Sequence, residues 1–71
     1  MEQYHRLIHI DEPQPDRAAL EKVMESAPGV SNVVIVGSHP KGGYETRFRL
    51  ASDTLGSLIA YMEESGWRSV L

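Results

Sequence analysis

With 71 residues, 41% of them hydrophobic and 24% charged, the chain has the composition of an ordinary globular protein and the length of one small domain, residues 1–71. A domain of this size buries only about 60% of the surface its unfolded chain exposes, which leaves modest stability and no room for a deep interdomain cleft. The net charge of −3 argues against a dedicated nucleic-acid binder, and the absence of cysteine removes disulfides and thiolate metal sites.

Residues 4–10 (YHRLIHI) read as a first strand, bounded by the turn-rich DEPQPD, where Pro13 and Pro15 deny a ladder its N–H donors. Asp16 is placed to cap the helix that follows. Leu20, Val23, Met24 and Ala27 recur at i, i+3, i+4 and i+7, one apolar stripe along about three helical turns. Pro28-Gly29 ends that helix, and residues 30–37 form a second strand rich in valine. The loop SHPKGG turns the chain into a third strand at 44–51. Ser52 or Asp53 is expected to cap a second helix carrying Leu55, Leu58, Ile59 and Met62. Gly66 ends it, leaving residues 67–71 for a short last strand. No stretch approaches the roughly 18–20 apolar residues of a bilayer span, and MEQYHRLIHI lacks the apolar run of a secretory signal, so a cytoplasmic location is expected.

Strand–helix–strand repeated twice predicts an α/β (α+β) ferredoxin-like βαββαβ sandwich. Two right-handed crossovers put both helices on one face of a four-stranded antiparallel sheet and leave the other face open. The first and third strands then lie side by side in the middle. Side chains alternate along a strand, so parity assigns them to faces. In the third strand Tyr44, Phe48 and Leu50 are expected under the helices, sending Glu45, Arg47 and Arg49 to the open face. In the first strand Ile8 and Ile10 are expected inward, sending His5, Leu7 and His9 outward. His5, His9, Arg47 and Arg49 should then form one cluster. In the second strand, inward Val33 and Ile35 leave Val34 and Val36 exposed at a sheet edge, where another chain could pair.

ALEKVMESAPGVSNVVI followed by LGSLIAYMEESGWRSVL resembles the heavy-metal-associated domain of copper chaperones and metal-transporting ATPases. The likeness spans nearly the whole chain and rests on Pro28, Gly29, Val30, Gly66 and Trp67. It implies that family's fold without its metal chemistry. Where the family carries Cys-x-x-Cys this chain reads DEPQPDR, with Pro13 and Asp16 near the cysteine positions, and neither offers the soft ligand that Cu(I) demands. SHPKGGYETRFRL and the helix after it are also similar to the YbeD family of uncharacterised bacterial proteins, which share this topology. Both likenesses imply binding or regulation and not catalysis.

His5 and His9 stand four residues apart on one strand, roughly 13 Å at the strand rise, too far to grip one ion. His39 belongs to a loop and Met1, Met24 and Met62 do not cluster, so neither metal nor other cofactor is expected. SHPKGG has the glycines and lysine of a phosphate loop but joins strand to strand, and is read as a hairpin turn. RNA-binding sheets of this topology place aromatic side chains on the open face, and an inward Tyr44 and Phe48 argue against that use. The function expected is a non-enzymatic interaction or regulatory module. It would bind a protein partner, or a second copy of itself, through His5, His9, Val34, Val36, Arg47 and Arg49. Metal or small-anion binding around His5, His9, His39 and the DEPQPD loop, and weak nucleic-acid binding through the basic face, are the alternatives.

Overall fold

A computed structural model describes residues 1–51 and 54–70. In chain order the elements are β1 (Glu2–His9), α1 (Arg17–Ser26), β2 (Val30–Ser38), β3 (Tyr44–Leu50), α2 (Leu55–Glu64) and β4 (Trp67–Val70). Each falls where the residue pattern puts it, to within two residues. Ser52 and Asp53, expected to cap α2, and Leu71, expected to end β4, lie outside the described residues.

Asp16 caps α1 as its position suggests, its carboxylate accepting the Ala19 N–H at 3.0 Å. Leu20, Met24 and Ala27 are buried and Val23 packs beside them. On α2, Leu58 and Met62 are buried, whereas Leu55 at the first turn stays exposed. The four strands make one sheet in the order β2-β3-β1-β4, with every neighbouring pair antiparallel. β1 and β3 therefore occupy the middle. Side chains from both helices join Leu7, Ile35, Phe48, Leu50 and Trp67 in one core, so both helices cover the same sheet face. No helix among the described residues is long and apolar enough to cross a membrane.

One correction concerns strand faces. β3 alternates as expected, with Thr46, Phe48 and Leu50 buried and Arg47 and Arg49 exposed. β1 has the opposite parity to the one expected. His5 and Leu7 lie under the helices, 2% and 1% exposed, while Ile8 is half-buried on the open face and Ile10 lies beyond the strand. The physical reason is Arg6. An inward Ile8 forces an inward Arg6, and a guanidinium cannot enter an apolar core without a charged partner, whereas a neutral imidazole can. At the β2 edge the expected faces hold. Val33 and Ile35 do face the core and Val34 and Val36 do stay exposed. The strand is nonetheless interrupted by two register shifts, with Asn32 at φ 54°, and the Arg17 guanidinium donates to the Ile35 carbonyl. Bulges and a capped carbonyl blunt an edge against strand addition.

Candidate functional site

The open face can be read rung by rung, because residues directly opposite in an antiparallel pair share a face. One rung runs Val34, Arg47, Tyr4 across β2, β3 and β1. The next runs Gly37, Glu45, Arg6, Val70 across all four strands. Ser31, Arg49 and Glu2 form the rung on the other side, and Ile8 pairs with Arg68 at the β4 edge. Tyr4, Val34 and Val36 are 54%, 43% and 49% exposed, so the face carries apolar as well as charged area.

Charge is segregated between the two sides of the molecule. Of the seven Lys and Arg in the chain, Arg6, Arg47, Arg49 and Arg68 lie on this face and Lys41 on the hairpin at its end. Among the described residues, Glu2 and Glu45 oppose them there. Glu21, Glu25, Glu63 and Glu64 are exposed on the helices, and Asp11, Glu12 and Asp16 lie in the loop before α1. A chain with a net charge of −3 thus presents a basic sheet and an acidic helical side. The Tyr4 phenol is held above its ordinary range, first by partial desolvation and then by the neighbouring Glu45 carboxylate, with Arg47 opposing. It remains a neutral hydroxyl donor.

Four of the residues expected at the site come together here: Arg47, Arg49, Val34 and Val36. His5 and His9 do not join them. The His5 ring is buried, its Nε2–H donating to Gln3 Oε1 at 3.0 Å and its Nδ1 paired with the Ser69 hydroxyl. It also packs against Phe48, ring centroids 5.3 Å apart. Desolvation pushes its pKa below the ordinary imidazole value, which fits a neutral ring. His9 donates from Nδ1 to the Asp11 carbonyl at 2.8 Å and meets Trp67 edge-on at 5.1 Å. Its backbone N–H and C=O are both taken by the Gln14 side-chain amide, which ends the strand. Both rings make their contacts within the fold, away from the open-face arginines. Tyr4, Arg6 and Arg68 are the open-face residues the expectation missed. The signal for Tyr4 and Arg6 lay in the even positions of the first strand, where Arg6 required the outward parity.

No family model, curated protein or solved structure matches this chain. Among the described residues no three His, Asp or Glu side chains are placed to hold a metal ion.

Proposed function

We propose that the chain is a ferredoxin-like sandwich serving as a non-enzymatic interaction module, and that its open sheet face binds an acidic protein segment. The sheet order and the alternation of strands with helices support that fold assignment, and with it the likeness to heavy-metal-associated and YbeD-type domains. The observation that carries the function is the collection of Arg6, Arg47, Arg49 and Arg68 around exposed Tyr4 and Val34. Arginine offers a planar fork for carboxylates, and aromatic and apolar neighbours exclude water around such pairs. A symmetric dimer through this face would set arginines against arginines, and like charges across an interface cost affinity. A nucleic acid fits less well. Tyr4 is the one exposed aromatic among the described residues of this face, and Glu2 and Glu45 repel phosphates.

The test is a titration of isotopically labelled protein with a Glu/Asp-rich peptide carrying one aromatic residue, against a single-stranded oligonucleotide. The peptide should shift amides on β1, β2 and β3 around Tyr4, Val34 and Arg47. The double variant Arg47→Glu, Arg49→Glu should weaken it by well over tenfold, as expected when charge-assisted hydrogen bonds turn into repulsions. Shifts on the helical side, unchanged affinity of the variant, or tighter binding of the oligonucleotide would each overturn the proposal.

A further inference from the structure

The β2–β3 hairpin adds a loop beside the rung of Glu45, Arg6 and Val70 at one end of the open face. Tyr4, Arg6, His39, Lys41, Glu45 and Val70 line an open depression of about 350 Å³, within the size range of small-molecule sites. His39 is its anchor. Its Nδ1 accepts from Arg6 Nη1 at 3.2 Å and from the Lys41 backbone N–H at 3.0 Å. A ring nitrogen that accepts carries no proton, so the proton of the neutral imidazole sits on Nε2 as a donor. Arg6 spends one N–H on this contact and keeps the rest of its fork.

The loop holding His39 and Lys41 is itself fixed. The His39 N–H donates to the Gly43 carbonyl at 3.0 Å, and the Gly42 N–H donates to the His39 carbonyl at 2.9 Å. Gly43, at φ 76°, sits against the Leu7 carbonyl so closely that a Cβ would fall onto it. The depression therefore gathers three donors (the Arg6 guanidinium, the Lys41 ammonium and His39 Nε2–H) beside one carboxylate, Glu45, which the Tyr4 hydroxyl faces. Its two cations outweigh that carboxylate. Donors arriving from a strand and from a loop above it suit a tetrahedral oxyanion better than a planar one. Glu45 suits a hydroxyl on the same molecule, since it can only accept.

We propose that this depression binds a small hydroxylated phosphate monoester, with Arg6, Lys41 and His39 holding the phosphate and Glu45, beside Tyr4, accepting from a ligand hydroxyl. The inference shares Arg6 and Tyr4 with the acidic-partner reading, and the two are told apart by Lys41, which only this site uses, and by Arg47 and Arg49, which only that one uses.

Labelled protein is titrated with glycerol 3-phosphate, with inorganic phosphate, and with potassium chloride at matched ionic strength. Saturable shifts are expected at the Lys41, Gly42 and Gly43 amides and at the His39 ring, tighter for glycerol 3-phosphate than for phosphate. Arg6→Gln and Lys41→Gln should each weaken binding by about tenfold or more, the loss expected for one charge-assisted hydrogen bond. Lys41 is an exposed loop residue, so its variant keeps the fold while testing the site. The assignment is overturned if chloride reproduces the shifts, if no saturation occurs, or if Lys41→Gln binds as the parent does. Equal affinity for inorganic phosphate would overturn the ester and Glu45's part in holding it.

Discussion

β1 and β3 are adjacent, antiparallel and central, yet the same two strands present opposite solutions on their two faces. Under the helices, even the polar side chains are closed into partners. His5 has Gln3 and Ser69, and the Thr46 hydroxyl donates to the His5 carbonyl at 3.1 Å. No buried side-chain nitrogen or oxygen is left without a partner among the described residues. On the other face, Tyr4, Arg6, Arg47 and Arg49 stand beside apolar Val34 and Ile8. What sorts a side chain to a face is the partner it can find there, not its polarity alone. A histidine goes inside because both ring nitrogens are answered, while an isoleucine is left outside because an arginine on its own parity cannot follow it in.

The largest expected effect breaks both faces at once. Gly43→Ala puts a methyl group into the Leu7 backbone carbonyl and against Ile8, at a φ of 76° that L-residues resist. Strain of this kind, with no flexible side chain free to yield, should remove about 3 kcal/mol or more of unfolding free energy. Gly37→Ala is the control. A Cβ there meets nothing within 4 Å, so the change should lie within about 1 kcal/mol of the parent, on the stabilising side if the local backbone accepts alanine. Urea denaturation of the two variants separates them, and equal midpoints would contradict the packing of the hairpin on β1.

The second effect lies on the closed face alone. His5→Ala removes a buried ring from Phe48 and strands Gln3 and Ser69, which should cost about 2–4 kcal/mol. The parent should also carry a pH signature. Desolvation lowers the folded-state pKa of His5 below the ordinary 6.5, so the unfolded chain binds the additional proton in the interval between the two values. Stability from this group is thus complete above pH 6.5 and is lost as pH falls below it. His5→Leu, which fills the space without an ionisable ring, should flatten that slope even while lowering stability elsewhere. An unchanged slope would mean the imidazole is not buried neutral.

How much of this is legible in the chain differs strand by strand. YETRFRL in β3 alternates without conflict, so its faces follow from parity, and the stripes of both helices follow equally well from period. EQYHRLIH in β1 sets histidine and leucine on one parity against tyrosine, arginine and isoleucine on the other. Hydrophobicity alone points to the isoleucines; the cost of burying Arg6 decides the other way. The contact of Arg6 with His39 spans 33 positions and depends on how the hairpin folds back over β1, which no local pattern encodes. Segregated charge is hidden for a different reason. A net value of −3 sums two opposed surfaces, and only the pairing of β1 with β3 and β4 separates them.

The smallest expected effect on stability is also the one that most sharpens the difference between the faces. Arg47 and Arg49 are exposed, and neither side chain has a hydrogen-bonded partner among the described residues, so their removal strands none of these. Exposed charges of this kind contribute little to folding, and Arg47→Gln or Arg49→Gln should each leave unfolding free energy within about 0.5 kcal/mol of the parent. The double change to glutamate alters the sign of the face and sets new acids beside Glu45, yet each added repulsion acts through water and is screened by salt. Its stability should therefore approach that of the parent as ionic strength rises, while its capture of an acidic peptide stays lost. A closed-face variant such as His5→Ala should do the reverse, losing stability at every salt concentration yet still capturing peptide wherever it remains folded. If instead Arg47→Gln destabilised as strongly as His5→Ala, the arginines would be part of what holds the sheet together. The open face would then be structure and not a surface kept free for a partner.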